Sequence, residues 1–325
     1  MSNTTQRTGN ILVMMAAGVI LVMLPHFIGD YYIHLVTTML LFGYLGVAWN
    51  ILGGYAGQFS FGHAAFFGIG AFTSTLLQIH AGVNPWIGIF LAGVAGLLLG
   101  LFIGSLSFRY GLRGPYFALA MLALAEMLRV VAVQWMSVRY PLGIVIPLKG
   151  DSFWDFQFSS RVPYYYIILS MLAIVLYLIR VIEGKRIGSY FKAIRENENA
   201  AETLGINLFK YKLLAMALSS SLTAMGGTFY AQYYLTIDEE AAFGVGVSIE
   251  ILLGPIIGGA GTVFGPVLGA GILETLSEGT RNLLGGYSGV HLMLYGAILV
   301  FVIIFLPKGI LGGLEVAFRK LTKRG

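Results

Sequence analysis

Side chains able to do chemistry are few in this chain, and they stand far apart. Glu126 and Arg129 lie one helical turn apart within "LRGPYFALAMLALAEMLRV", among apolar residues. A charge at mid-membrane costs roughly 2.5–3.5 kcal/mol on insertion scales, and partners at i, i+3 lower that cost. The expectation is an intramembrane ion pair facing the bundle, with a polar gate element as the alternative. His26, His34, His63, His80 and His291 show no metal-binding spacing, and no metal site is expected. There is no Ser/His/Asp set, no paired Asp and no H-E-x-x-H string, so no catalytic residue is expected. The sequence has no cysteine, which excludes thiolate chemistry and disulfides. It has no G-x-x-x-x-G-K-[ST] loop either. If ATP drives this protein, ATP and Mg sit on partner subunits, and this chain binds no cofactor of its own.

The stretch "GGYAGQFSFGHAAFFGIGAF", Gly53 to Phe72, carries six glycines between apolar neighbours. Several glycines together weaken a helix, and backbone groups can then line a polar cavity instead of lipid. Gln58, Ser60 and His63 add hydrogen-bonding side chains beside Gly54 and Gly57. The expectation is a translocation pathway or hinge, with His63 mainly packing. A second string, "GGAGTVFG" at 258–265, echoes the first. Its Gly258, Gly259, Gly261 and Thr262 are assigned the same pathway or hinge role. Duplicated halves with broken helices are common in transporters. Simple small-residue helix packing is the alternative for both strings.

These groups need elements to hold them, and composition says which. The chain is 57% hydrophobic and 11% charged, with a mean hydropathy of +0.81. A soluble domain carries about 25% charged residues, so lipid is the expected solvent. The predicted class is all-α: a polytopic transmembrane helical bundle of about 8–10 membrane segments, including broken or re-entrant Gly-rich helices, in one permease-like domain over 1–325. Helices are expected near 11–29, 31–52, 59–80, 86–108, 115–137, 163–182 and 208–236. A shorter Gly-rich pair follows near 246–260 and 264–280, then a last span near 290–306 with a basic tail. The first apolar segment is long for a signal peptide and is read as a retained helix.

The net charge of +5 points to cytoplasmic loops rather than nucleic acid. Alternating the spans from a cytoplasmic N-terminus puts Arg109, Arg113, Arg180, Lys185, Arg186, Lys192, Arg195, Lys210, Lys212 and the basic tail inside. Outside fall Arg139, Lys149, Arg161 and Arg281, with Asp30, Asp151, Asp155, Asp238, Glu239 and Glu240. Both termini are therefore expected in the cytoplasm. The inside loop 183–207, "EGKRIGSYFKAIRENENAAETLGIN", has a helical core. Asn199 and Glu202 carry a capping spacing, and Gly205 suits a helix stop. Ile194, Ala201 and Leu204 can form one apolar edge. So short a helix is marginal in water and needs packing against its own bundle or another protein. An ordinary positive loop is the alternative reading from composition.

Four strings in order, "GGYAGQFSFGHAAFFGIGAF", "LRGPYFALAMLALAEMLR", "FKAIRENENAAETLGIN" and "IGGAGTVFGPVLGA", resemble the LivM-type permease subunits of bacterial ABC importers for branched-chain amino acids. A P-K-G-I-L-G-G tail follows at 307–313. The resemblance implies a multi-pass inner-membrane subunit that works with a related second permease, two ATPase subunits and an extracytoplasmic substrate-binding protein. The family's A-I-R-E-N-E-x-A-A-x-x-L-G-I coupling segment is matched by Ala193, Ile194, Arg195, Glu196, Asn197, Glu198, Ala200, Ala201, Leu204, Gly205 and Ile206. The resemblance implies that this helix docks on the ATPase. The sequence departs from the family at "VRYPLGIVIPLKGDSFWDF", where a small polar Gly-Gly turn is expected. Related permeases serve urea, short amides and other amino acids. A self-contained ion-coupled transporter is the reading from a different class; it would need acidic or His relays in the spans, and only Glu126, Glu250, Glu274 and Glu278 are candidates.

Overall fold

The computed structural model describes residues 18–140 and 143–284, and residues 293, 296, 297, 300, 309 and 310 near the C-terminus. The expected span at 290–306, the basic tail and the start of the 11–29 segment lie outside these. The described chain is helical. In order come α1 (Asp30–Asn50), a π-turn (Ile51–Tyr55), α2 (His63–Ala81), α3 (Pro85–Arg109), α4 (Gly114–Arg139) and the short strand β1 (Ile144–Val145). Then follow α5 (Val162–Glu183), α6 (Arg186–Glu196), α7 (Glu198–Thr203), α8 (Leu208–Tyr234), β2 (Thr236–Ile237), α9 (Glu239–Phe243), α10 (Val245–Gly258) and α11 (Gly265–Leu284).

Among the described residues six segments are long and apolar enough to cross a membrane: α1 with its π-turn, α2, α3, α4, α5, and α9 with α10. The 27-residue α8 is too polar for that set, and packing explains why. It runs through the core with Ser219, Ser220, Thr223, Thr228 and Gln232 buried. Each makes at least one hydrogen bond inside the bundle. The Ser219 hydroxyl donates to the Ala48 carbonyl at 2.7 Å, and Gln232 Nε2 donates to Gln78 Oε1 at 2.6 Å. Polar groups bonded within protein do not meet lipid.

Glycine sets how closely the central helices approach. Gly96 and Gly100 of α3 face α8, where added Cβ atoms would lie 2.5 Å from the Ala224 Cβ and 2.1 Å from the Ser220 Oγ. Small residues let backbones approach in this way. The packing alternative is realised on α3 and also inside the strings that raised it, where a Cβ on Gly70 would lie 2.0 Å from the Ala224 oxygen and one on Gly258 1.7 Å from the Gly265 oxygen.

Contacts between elements fix the two ends. At one end Arg161 Nη1 donates to the Asp30 carbonyl at 3.5 Å, and Asn282 Nδ2 donates to the Tyr31 hydroxyl at 3.1 Å. This upper end also carries the antiparallel pair β1–β2, with Ile144 opposite Ile237. The divergent 143–162 loop is pinned here. Trp86 Nε1 donates to the Phe153 carbonyl at 2.7 Å, and Lys149 pairs with Asp155 at 2.9 Å. That ammonium holds the Asp155 carboxyl below its ordinary range, and the Ser159 hydroxyl does the same for Asp151. The lower end carries α6, α7 and both Gly-rich turns. Each turn joins a descending helix to a returning one, α1 to α2 and α10 to α11; α10 and α11 pack against each other, whereas α1 and α2 both pack on α8.

Candidate functional site

At the lower end the α1 helix ends in a five-residue π-turn that contains Gly53 and Gly54. Its last residue, Asn50, is fully buried and ties this break to the other. Asn50 Nδ2 donates to the Thr262 carbonyl at 2.8 Å, and Asn50 Oδ1 accepts from the Gly261 amide at 2.7 Å. Only glycine fits at the crossing. A Cβ on Gly54 would lie 2.5 Å from the Gly261 nitrogen. Thr262 closes its own turn: its hydroxyl donates to the Gly259 carbonyl at 2.7 Å and accepts from the Gly265 amide at 3.1 Å. Gly258 packs on the start of α11, where a Cβ would lie 1.7 Å from the Gly265 oxygen.

Residues 186–203 are laid across this pair of turns. Arg195 Nη1 donates to the Gly54 carbonyl at 2.8 Å. A Cβ on Gly261 would fall 2.1 Å from that same nitrogen, and one on Gly57, at φ +70°, 2.9 Å from the Arg195 Cα. One guanidinium therefore touches both breaks. Glu196 pairs with Arg195 at 3.2 Å and is exposed. Glu198 reaches inward instead. Its carboxylate pairs with Lys212 Nζ of α8 and with Arg113 Nε at 3.0 Å, and it accepts from Gln58 Nε2 at 3.0 Å. The Lys212 side chain is 5% exposed and that of Glu198 18%. This is a largely buried charge cluster joining the segment to α2's approach, α4 and α8.

The segment differs from the expected single helix. Asn197 breaks it into α6 and α7 and accepts from the Ala200 amide at 3.0 Å, so Asn197 and not Asn199 is the cap. Asn199 lies inside α7, and its Oδ1 accepts from Arg113 Nη1 at 3.1 Å. Capping needs extended backbone at the cap residue, and Asn197 supplies it with φ −161° and ψ 111°. The expected apolar edge also divides. Ile194 and Ala201 are buried within this chain, whereas Leu204 is 79% exposed. Gly205 ends the segment at φ +81°, the left-handed stop its position implied. Ala200 is exposed beside it.

Gln58, Ser60 and His63 come together, but within this chain they are enclosed. All three are buried, while Phe59 between them is partly open. The order of exposure expected for a water-lined pathway, with 58 and 60 above 59, is not found within this chain. The reason is hydrogen bonding. The Ser219 hydroxyl donates to Ala48, so its oxygen accepts from His63 Nε2 at 2.8 Å. His63 Nδ1 is then the acceptor for the Ser60 hydroxyl at 3.1 Å. His63 is a neutral packing residue, also set edge-on to Phe66. No group of three His, Asp or Glu residues is placed to hold a metal ion among the described residues.

Glu126 and Arg129 pair through two contacts of 2.6 and 2.9 Å, as their spacing implied. The pair does not face an enclosed bundle interior. It lies half-exposed on α4, and Glu240 of α9 joins it at 3.4 Å.

Asn50, Arg113 and Lys212 belong to the site, and the sequence reading did not single them out for it. Lys212 and Arg113 counted only as inside-positive charges. A polar Asn closing an apolar span next to Gly-Gly was the available signal for Asn50.

The LivM permease protein of the high-affinity branched-chain amino acid transport system of Salmonella typhimurium is 27% identical over 323 residues, covering 92% of this chain and 74% of its own. The LivH permease protein of Escherichia coli is 30% identical over 151 residues, 46% of each chain. A nucleoside ABC transporter permease protein, NupC of Lactococcus lactis, is 28% identical over 180 residues, covering 50% of this chain and 55% of its own. No solved structure matches the chain. The family described as branched-chain amino acid transport system / permease component matches residues 31–303, and with a match of that extent the chain belongs to this family.

Proposed function

We propose that this multi-pass membrane protein is one of two related permease subunits in an ATP-driven importer of branched-chain amino acids. Its lower end faces the cytoplasm, where residues 186–205 dock on a separate ATPase subunit that holds ATP and Mg. Its upper end faces an extracytoplasmic binding protein. The observation that carries the reading is Arg195, whose guanidinium touches both Gly-rich turns at the ends of α1 and α10. A push on the docked segment reaches both turns through it. The self-contained ion-coupled alternative has no such need for an exposed segment wedged on its turns.

The test is reconstitution in proteoliposomes with a second permease, two ATPase subunits and a binding protein encoded beside it. ATP-dependent leucine uptake that requires every subunit is the expected result. Uptake by this chain alone, driven by an ion gradient and stopped by an ionophore, would overturn the reading.

A further inference from the structure

Toward the upper end of α11, one wall of the protein is not built for lipid. The 20-residue α11 is absent from the set of apolar spans. It presents Leu273, Glu274, Glu278 and Arg281 along one face to a cavity of about 350 Å³. The first turns of α1 supply Leu35 to the same cavity, and α10 supplies Glu250. The volume falls within the roughly 300–1,000 Å³ usual for small-molecule sites. Glu274 lies nine residues along α11 from Gly265, about 14 Å at 1.5 Å per residue. That is close to half of a hydrocarbon core about 30 Å thick.

The groups around this cavity are of three kinds. Glu278 accepts from the Tyr31 hydroxyl at 2.5 Å and sits 3.7 Å from Arg281 Nη1. Glu250 and Glu274 have no hydrogen bond or ion pair among the described residues, and both line the open space. Leu35 and Leu273 give it apolar wall. Ionisable groups at membrane depth face protein or a water-filled path rather than lipid, and they mark substrate routes. A carboxylate pair, a cation set apart from it and an aliphatic wall together complement one class of ligand. We infer that this cavity receives a zwitterionic aliphatic amino acid on its way through the membrane. Its ammonium lies at Glu250 and Glu274, its carboxylate at Arg281 and its side chain on Leu35 and Leu273. The inference rests on the importer reading above and names where that importer's substrate is selected. A nucleoside has no ammonium to pair with the two acidic side chains.

The experiment uses the whole reconstituted importer. Ser277 lines the cavity, and Ile272 is 36% exposed on α11 outside the lining. Because the chain has no cysteine, Ser277→Cys and Ile272→Cys each give one site for a water-soluble cationic thiol reagent. Ser277→Cys is expected to react and to be protected by leucine but not by uridine. Ile272→Cys is expected to show no leucine protection. Glu274→Gln and Glu250→Gln should each raise the KM for leucine about tenfold or more, as loss of a desolvated charge partner does, with co-purification of the other subunits measured alongside. Leucine import by the wild-type importer with Ser277→Cys unprotected, or with both Gln variants at wild-type KM, overturns the cavity assignment and leaves the importer reading intact. Absence of leucine import by the wild-type assembly overturns the importer reading and the assignment with it.

Discussion

Arg195 carries two jobs that a lysine could not share. Its planar fork sets Nη1 on the Gly54 carbonyl and against Gly261 while Nη2 donates to Glu196 at 3.2 Å. A lysine keeps the charge but has no fork to span two sites. Arg195→Lys should therefore lose most ATP-driven uptake, close to the loss in Arg195→Ala, while assembly with the other subunits persists. Uptake near wild type in Arg195→Lys would reduce the contact to plain charge. The Glu198 cluster makes a second prediction at this scale. Removing one member of a largely buried pair costs about 3–5 kcal/mol, because the other is left uncompensated. Lys212→Met should lower the thermal midpoint in detergent sharply, and adding Glu198→Met should recover much of the loss. Additive losses in that double-mutant cycle would show that the two do not interact. Arg195, Glu198 and Gln58 were legible because they sit in recognisable strings. Asn50 and Lys212 were not, because their roles depend on partners far away in sequence. Asn50 meets Gly261, which is 211 positions later.

Residues 186–203 form two short helices, and their caps decide which face is left over. With Asn197 as the cap, α7 turns Ala201 into the protein and leaves Ala200 and Leu204 outward. A large side chain at Ala201 would clash inside this chain first, so that position cannot report on docking. Leu204 can. An exposed leucine beside a glycine stop, on a helix of six residues, has no folding role that its own chain displays. Leu204→Glu should leave this protein's stability and its pairing with the second permease unchanged, yet abolish ATPase binding and uptake. Retained ATPase co-purification would place the docking face elsewhere. The sequence placed this segment and its end well. It missed the internal break because Asn197 and Asn199 both offer a capping side chain, and only backbone geometry chooses between them. Likewise, Gly93 to Gly104 read as an ordinary apolar span, since a stripe of glycines announces close packing without naming the partner, α8.

Taken whole, the described molecule has two unlike ends. At the upper end β1 and β2 pair and the 143–162 loop is bonded down, while the apolar faces of Leu148 and Trp154 stay open at 78% and 73% exposed. At the lower end the two Gly-rich turns meet under α6 and α7. Composition and Lys/Arg asymmetry were enough to read the helical bundle and the relative sides of its loops, because lipid imposes both. Every described contact between ends obeys that alternation. Ser189 on α6 is exposed, lies on the same end as Arg195, and has no role in the charge cluster. The cysteine-free chain allows a clean comparison with Trp154 in the opposite loop. In intact cells an impermeant thiol reagent should label Trp154→Cys and spare Ser189→Cys. In inverted vesicles the pattern should reverse. Labelling of Ser189→Cys from outside would put the Arg195 wedge on the side where no ATP is available, and the transmission of an ATPase stroke through it would fail with the topology.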